Sequence, residues 1–436
     1  RVRSSAASVV YKRQYTPNKE NNVFQLVVQY GAGEREFPKL GYAAQLMNNA
    51  GIMGAYEPQE LKEELSKLNA TCHVTADDDN LYIIMEGYEA TLPQACQLLS
   101  RQILMPKLDE KQLARLKGSA MGMRQQRKDN VSILNEALRQ YMLYGEKSDY
   151  IKELTDKEIY ELQISELTGD INRASNYEAK VFFTGTLPFD QVYDILSKNL
   201  PLVANERPSN SPQAKDMMPV TENTVYFLPN NDAEQAQIHL YIPMQKADKK
   251  DDVLRSAFNQ YFGLDFTGIV LNEIREKRSM AYTAYAFVGT QGIAGKASYL
   301  RGYIGTQNDK ANDALDVLMG LVNDMPKNPE RIDNIKSYLR QAMLTSHPSF
   351  RNKAMELVDL GYRGYTDDPA KENLPKVDAL TFDDIVKFYE ENIKDKPYCI
   401  SIMGNPKNID LKRLEKFGKV VKLNERKLFN TKDALF

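Results

Sequence analysis

The chain has 436 residues, of which 42% are apolar and 27% are charged, a composition typical of globular proteins. This length exceeds what one hydrophobic core usually supports, so we expect two domains of ordinary size. The net charge of −2 gives no global attraction to nucleic acid or to an anionic membrane. The longest apolar run falls short of the roughly 18 residues that indicate a membrane span.

The three cysteines, Cys72, Cys96 and Cys399, are far apart in the sequence. They form neither a disulfide framework nor a CxxC metal motif, and they leave cytoplasm and periplasm both open. The chain starts at Arg1 without an initiator Met or an apolar signal segment. We therefore expect either a mature product or a piece of a longer polypeptide.

Predicted elements recur along the chain with a period of about 220 residues. Strands are predicted from β-branched and aromatic content, and helices from the spacing of apolar residues before a Met-Pro pair. The last strand of each set ends in Gly. The matched segments are 9–11 with 224–226, 24–30 with 236–242, 90–99 with 311–318, and 181–185 with 399–404.

Longer helical stretches are predicted over residues 108–145 and 328–362. Hairpin-like strand neighbours together with these helices favour an α+β fold. We expect two homologous domains, residues 1–205 and 223–436, each a mostly antiparallel β-sheet with helices packed on one face. Residues 206–222 are polar and rich in Pro, which predicts an inter-domain linker.

Residues 274–282 contain the most informative spacing in the sequence. Arg275 is predicted at the end of an amphipathic helix, and Tyr282 opens an apolar strand. A permanent cation and a phenol donor would then lie on the two sides of one tight turn, where both can hold a single carbonyl. The structural alternative is an Arg placed by the helix dipole and a Tyr packed in the core.

The segment Leu-Asn-Glu-Ile-Arg-Glu-Lys-Arg-Ser-Met-Ala-Tyr at residues 271–282 resembles a helix-to-strand segment of the pitrilysin and insulin-degrading-enzyme family of zinc peptidases, the inverzincins. The resemblance extends over essentially the whole chain. It implies the pitrilysin-like metallopeptidase fold, in which the second domain carries this turn. It also implies that Arg275 and Tyr282 bind the substrate backbone beside a zinc ion.

The zinc-binding motif of that family is absent from this sequence. Its catalytic unit carries an inverted H-x-x-E-H on a helix and a Glu farther along the chain. Ala44, Met47 and Asn48 stand where His, Glu and His are required, and residues 111–128 contain no Asp or Glu. The first domain is therefore expected to be degenerate, with no metal and no catalytic residue in this chain alone.

The resemblance then implies a non-catalytic half of a zinc metalloendopeptidase. This half binds peptide and completes the active site of a zinc-bearing HxxEH half, which lies on the same polypeptide or on a separate subunit. The alternative is a structural, assembly or peptide-binding protein of the same fold with no proteolytic role. We expect no nucleic-acid partner, and family habit favours the periplasm over the cytoplasm.

The remaining candidate ligands are interpreted as structural. Cys72 and His73 are neighbours on a predicted strand, so their side chains point to opposite faces and do not share a metal. The acidic run 77–79 is predicted to be a solvated turn. His239 is expected in the core or a cavity, and the basic run 124–128 is interpreted as a solvated helix face.

Overall fold

The computed structural model describes residues 11–17, 21–200, 207–209, 212–263, 266–345 and 348–431. Its strands are β1 (Tyr11–Pro17), β2 (Val23–Tyr30), β3 (Gly51–Ile52), β4 (Thr71–Ala76), β5 (Leu81–Tyr88), β6 (Pro106–Lys107), β7 (Ala179–Gly185), β8 (Thr224–Pro229), β9 (Gln235–Lys246), β10 (Ala281–Thr290), β11 (Ala297–Gln307), β12 (Cys399–Gly404) and β13 (Lys419–Lys422).

The helices in the same ranges are α1 (Leu40–Met47), α2 (Pro58–Lys67), α3 (Leu92–Leu104), α4 (Glu110–Gln125), α5 (Val131–Tyr144), α6 (Asp149–Lys152), α7 (Asp156–Tyr160), α8 (Ile164–Ala174), α9 (Phe189–Asn199), α10 (Asp252–Phe262), α11 (Ile269–Leu271), α12 (Ala311–Asn323), α13 (Ile332–Thr345), α14 (Lys353–Tyr362), α15 (Pro369–Ala379), α16 (Phe382–Asn392) and α17 (Leu411–Leu414). We call β1–β7 with α1–α9 the first unit, and β8–β13 with α10–α17 the second unit. No helix in the described ranges is long and apolar enough to cross a membrane.

Each unit contains one large sheet, and the two sheets share a strand order. The first sheet runs β1-β7-β2-β5-β4, and the second contains the equivalent run β8-β12-β9-β11-β10 with β13 added beside β8. In both, the first two strands of the run pair in parallel and the remaining pairs are antiparallel. The predicted α+β class with mostly antiparallel sheets is confirmed.

One face of each sheet is covered by helices of its own unit. On β2, alternate residues Phe24, Leu26 and Val28 pack in the core that contains α1, α3 and α8, as the two-residue period of a strand requires. On β9, Ile238 and Leu240 occupy the equivalent positions under α10, α12 and α16. These two cores hold most of the buried apolar side chains of the protein.

The opposite face of each sheet receives one helix from the other unit. Helix α14 of the second unit places Ala354 against Val27 and Phe182 of the first sheet. Helix α5 of the first unit places Leu134 against Leu228 and Met403 of the second sheet. The units therefore exchange helices, and each sheet is apolar on both faces near its centre.

The predicted linker, where described, is extended and hydrogen-bonded to both units. Its backbone at Arg207 accepts a hydrogen bond from Glu178 N at 2.8 Å, and Met218 N donates to Leu143 O at 2.7 Å. Gln291 Nε2 of the second unit donates to Lys215 O at 2.6 Å. The boundaries of the linker, and homology between the units, stay predictions.

The helix predicted over residues 108–145 is interrupted. Helix α4 ends at Gln125, and α5 begins at Val131 after Asn130. The side chain of Asn130 accepts hydrogen bonds from Ser132 N at 3.0 Å and Ile133 N at 3.1 Å. This N-cap starts a new helix. The break in the helix lets α5 take a direction different from α4 and pack against the second sheet. In the second unit, α13 and α14 likewise divide the predicted stretch 328–362.

The prediction that residues 124–128 form a solvated face was wrong for Arg124. Its side chain is only 10% exposed, and it lies 2.7 Å from Asp156 Oδ1 and 3.4 Å from Glu153 Oε2. Arg127 is 2.5 Å from Glu153 and lies over the Tyr150 ring. A burial pattern that depends on residues thirty positions away leaves no signal in the local sequence. Of the predicted strand 9–11, residues 9 and 10 lie outside the described residues.

The exchanged helices should contribute strongly to stability. Replacing Leu134, which is fully buried between α5 and the second sheet, with Ala is expected to reduce the free energy of unfolding by about 2–5 kcal/mol, because a cavity remains. Leu344→Ala, at an exposed position of α13, is the matched control and should change this free energy by less than about 0.5 kcal/mol. Urea unfolding followed by circular dichroism measures both, and equal effects would contradict the exchange.

Candidate functional site

The segment between α11 and β10 is a π-helical turn closed by its own backbone. Helix α11 continues into a π-helix over Asn272–Glu276, where Lys277 N donates to Asn272 O at 2.9 Å. Ser279 N donates to Arg275 O at 2.8 Å, and Met280 N donates to Ile274 O at 2.9 Å. Ser279 has a φ of +49°, a strained value that is common at functional turns. Strand β10 begins two residues later.

Side chains from neighbouring elements fix this turn. Glu273 is 2.5 Å from Lys277 Nζ and 2.5 Å from Arg278 Nη1. Hydrogen bonds from these two cations lower the pKa of the Glu273 carboxyl from its ordinary value. Thr306 donates its hydroxyl proton to Met280 O, and Lys310 Nζ donates to Ser279 O at 3.2 Å. Lys277 and Arg278, the other two cations of this turn, therefore pair with Glu273.

The structure brings Arg275 and Tyr282 together at the exposed edge of the second sheet. Strand β10 is an edge strand, and its register with β11 shifts between Ala281 and Thr283. Tyr282 is therefore the extra residue of a β-bulge, and its side chain is 77% exposed. The Arg275 guanidinium carbon lies 5.4 Å from the centroid of the Tyr282 ring.

The chemistry available at this pair is hydrogen-bond donation. Arg275 carries five N–H donors, and Tyr282 carries one O–H donor. The Arg275 side chain is 37% exposed and lies 3.5 Å from Glu276 Oε1, a long ion pair. Both groups therefore keep donors directed toward solvent. The substrate-binding role of the pair stays a prediction, but their proximity is a property of the fold.

Sequence reasoning missed how the two side chains are placed. A plain α-helix followed by a regular strand was expected, and the structure has a π-helix and a bulge. Both insert one residue into a regular element, and both are frequent near functional sites. No residue pattern in 271–282 distinguishes a π-helix from an α-helix, because the difference lies in which carbonyl each N–H reaches.

The positions that correspond to the metal motif serve structural roles. Ala44 and Met47 on α1 are 2% and 3% exposed and pack in the core of the first unit. Asn48 follows α1 and forms two hydrogen bonds with edge strand β4: Nδ2 donates to Val74 O at 2.8 Å, and Val74 N donates to Oδ1 at 2.7 Å. The Asn48 side chain thus pairs the outer backbone groups of Val74, as a neighbouring strand would.

A zinc ion does not fit these residues, because Ala44 and Met47 offer no nitrogen or oxygen ligand and both Asn48 atoms are engaged. Across the described ranges, no group of three or more His, Cys, Asp or Glu side chains is arranged to hold a metal. Cys72 and His73 are consecutive on β4, and burial raises the pKa of the Cys72 thiol to about 12.

His239 is buried on the second sheet, as predicted. It is 2% exposed, and its Nε2 lies 3.0 Å from Asn135 Oδ1 on the exchanged helix α5. Burial first, and then the charges of Arg301 and Arg139, lower its pKa to about 3. The imidazole is therefore neutral at physiological pH and joins the two units.

Residues 175–339 match a family model described as "Peptidase M16 inactive domain". The chain is thus similar to that family over this range, which is less than half of its length. The matched range contains Arg275, Tyr282 and the whole turn between them. The predicted resemblance to a non-catalytic half of the pitrilysin type is confirmed. No curated protein sequence matches the chain significantly.

Solved structures share the fold of this chain. A peptidase M16 inactive domain from Pseudomonas fluorescens is 16% identical, with a TM-score of 0.74 over 94% of this chain and 99% of that one. A protease from Helicobacter pylori is 15% identical, with a TM-score of 0.70 over 93% and 99%. The periplasmic protease PqqL from Escherichia coli is 12% identical, with a TM-score of 0.69 over 90% of this chain but only 44% of that one.

The amide of Asn48 should matter to stability. Asn48→Ala removes both hydrogen bonds to Val74 and leaves its buried backbone groups unpaired, so we expect a loss of about 1–3 kcal/mol in the free energy of unfolding. Asn49→Ala is the matched control, since Asn49 is exposed and its side chain donates only to Gln45 O. Hydrogen exchange at Val74 should accelerate in the first variant alone. Unchanged exchange would contradict the assignment.

The Glu273 ion pairs predict a pH dependence of stability. Because the folded pKa lies below the ordinary value of 4.5, the carboxylate stabilises the fold above that value. The contribution disappears as pH falls through the lower folded pKa. The difference in unfolding free energy between the parent protein and Glu273→Gln should therefore be full at neutral pH and vanish in acid. Glu276→Gln, at a more exposed carboxylate, should show a small difference. A pH-independent difference for Glu273→Gln would count against these ion pairs.

Proposed function

We propose that this chain is the non-catalytic half of a zinc metalloendopeptidase, which binds peptide and completes the active site of a zinc-bearing half. The observation that carries the proposal is the pair Arg275 and Tyr282. They lie side by side and exposed on a braced turn within an M16 inactive domain. A purely structural surface does not require two free donors at this place.

Tyr282 has the properties of an oxyanion donor. Peptide hydrolysis develops negative charge on the oxygen of the scissile carbonyl, and one preorganised donor at that oxygen typically contributes about 10²–10³ in rate. The phenol donates a hydrogen bond without carrying a charge at neutral pH. Its position in a bulge at the start of β10 directs it away from the sheet.

Arg275 has the properties of a peptide clamp. The guanidinium remains protonated at any physiological pH, and its planar fork reaches one or two backbone carbonyls. Its position over the Tyr282 ring restricts both side chains, so less conformational entropy is lost when a peptide binds. The two roles are distinct: Arg275 fixes the register of the peptide, and Tyr282 stabilises the reacting oxygen.

The metal chemistry must come from another half, because Ala44, Met47 and Asn48 do not fit zinc. A match to less than half of the PqqL chain is in keeping with a protease that contains a second half of similar size. We propose that this second half carries the HxxEH motif, on the same polypeptide or on a separate subunit.

Reconstitution tests the proposal. The chain alone should cleave no peptide, and mixing it with the HxxEH half should restore zinc-dependent cleavage. In the mixture, Tyr282→Phe should lower kcat by about 10²–10³, and Arg275→Ala should mainly raise KM by loss of carbonyl contacts. Steady-state kinetics on a fluorogenic peptide measures both.

The matched controls are Tyr160→Phe and Arg426→Ala, which change an exposed Tyr and an exposed Arg outside the turn. Both should cleave at the parental rate. If Tyr282→Phe and Arg275→Ala also do so, the assigned roles are wrong. If the two halves assemble without any cleavage, the structural or peptide-binding alternative is supported instead.

A further inference from the structure

A second cleft lies between the two units, apart from the Arg275 turn. It has a volume of about 610 Å³ and is lined by both units and by the linker. Gln29 and Tyr82 come from the first sheet, Tyr144 from α5, and Asp359 from the exchanged helix α14. Every element that joins the units thus contributes to its walls.

Gln29 is one of the residues that line this cleft, and its side-chain oxygen is a buried acceptor. The residue is 4% exposed, and its Nε2 donates to Tyr82 Oη at 3.4 Å. Tyr82 Oη in turn donates to Asp77 Oδ2 at 2.9 Å. Because the Tyr82 proton is committed to Asp77, Tyr82 can only accept from Gln29, and this fixes the orientation of the amide.

Gln29 Oε1 then has no hydrogen-bond partner among the described residues. A buried carbonyl oxygen without a donor costs stability. A ligand that supplies an N–H or O–H donor at this point would remove that cost. The group expected here is therefore a donor, not an acceptor.

The charge of the cleft is negative. Asp77 and Asp359 line it and make no direct ion pair within the described ranges. The lining cations are engaged. Arg139 pairs with Glu136 and Arg363 with Asp252, both outside the cleft, and Lys215 pairs with Asp149 on its wall.

The pKa values of two carboxyl groups, Glu34 and Asp359, are raised in part by neighbouring negative charges. Burial raises the pKa of Glu34, and the charges of Asp78, Asp77 and Asp149 raise it further. Burial and the charge of Glu356 raise the pKa of the Asp359 carboxyl. The ligand expected in such a field carries a positive charge.

The aromatic lining also suits an ammonium group. The rings of Tyr82, Tyr144, Tyr299 and Tyr362 border the cleft, and aromatic faces attract cations. Two of these rings already contact a lysine ammonium group of the protein. Lys215 Nζ lies 5.1 Å from the centroid of the Tyr144 ring, and Lys180 Nζ lies 5.7 Å from the centroid of the Tyr362 ring. A metal ion is disfavoured because no three-ligand cluster is found among the described side chains.

We infer that this cleft binds an alkylammonium group, supplied by a lysine side chain of a peptide or by a free diamine. Its N–H donates to Gln29 Oε1, and its charge is balanced by Asp77 and Asp359. The alkyl stem packs against Met355 and Val358 of α14. Binding therefore bridges the first sheet and the exchanged helix. The inference does not depend on the function proposed for Arg275 and Tyr282.

The test uses the full chain labelled with ¹³C at its methionine methyl groups. The probes are 1,4-diaminobutane and a blocked Gly-Lys-Gly peptide, with the Gly-norleucine-Gly peptide as the uncharged control. The Met355 methyl signal should shift on titration with an amine, and that of exposed Met53, which does not line the cleft, should not. A shift with the diamine alone identifies a free amine as the ligand, and a shift with the peptide identifies a lysine side chain.

Variants decide whether the shift reports this site. Gln29→Met keeps the side-chain shape but removes the acceptor, and should weaken binding about tenfold or more. Asp359→Asn, at an exposed position of α14, should weaken it severalfold. Asp232→Asn removes an exposed carboxylate outside the cleft and should bind like the parent. If the amines shift Met355 no more than norleucine does, or if all three variants bind equally, the inference is wrong.

Discussion

Each large sheet of this protein is apolar on both faces near its centre, and this constraint organises the whole molecule. One face is covered by helices of the same unit, and the other requires a helix from elsewhere. Helix α5 and helix α14 meet that requirement reciprocally. Because an uncovered apolar face costs on the order of 25 cal/mol per Å², neither unit is expected to keep its present form alone. The exchange also fixes the relative position of β10, the linker and the inter-unit cleft.

The exchange has a consequence for the site. With the central strands covered on both faces, the edge strand β10 can begin with a π-helical turn and a bulge without loss of the core. Ile274 at the centre of the π-helix is fully buried, so the turn is anchored beneath while Arg275 and Tyr282 remain exposed above. The positions at α1 that correspond to the metal motif have structural roles instead. Ala44 and Met47 pack in the core, and the Asn48 amide bonds to Val74. Among the described residues, the turn thus exposes two hydrogen-bond donors, and the α1 positions offer no zinc ligand set.

Much of the fold follows from the sequence because its signals are local. Strands such as β2 and β12 and helices such as α3 and α12 have apolar spacing that fits one element type, and the structure places them within a few residues of their predicted bounds. The absence of the HxxEH motif follows directly from the residue identities at 44, 47 and 48. The pairing of Arg275 with Tyr282 needed the family resemblance, since their spacing alone fits an ordinary helix end and strand.

The parts that escaped prediction depend on distant contacts. The departure of α5 from its own unit rests on Leu134 meeting Leu228 and Met403, which no local pattern indicates. Arg124 lies in a basic run, but its side chain is only 10% exposed and pairs with Glu153 and Asp156. The π-helix and the Tyr282 bulge are defined by which backbone groups bond to each other, and the local sequence does not specify this. The unpaired acceptor of Gln29 depends on the contact between Tyr82 and Asp77 in the folded chain.

The most direct measurement is photo-crosslinking with a benzophenone amino acid in place of Tyr282, carried out with the HxxEH half and a labelled peptide. The account predicts that the peptide is crosslinked at position 282 in the assembled enzyme, and not when the same group replaces Tyr160. A peptide that is cleaved by the assembled halves but never crosslinks at position 282, or crosslinks equally at position 160, would contradict the claim that this turn faces the substrate.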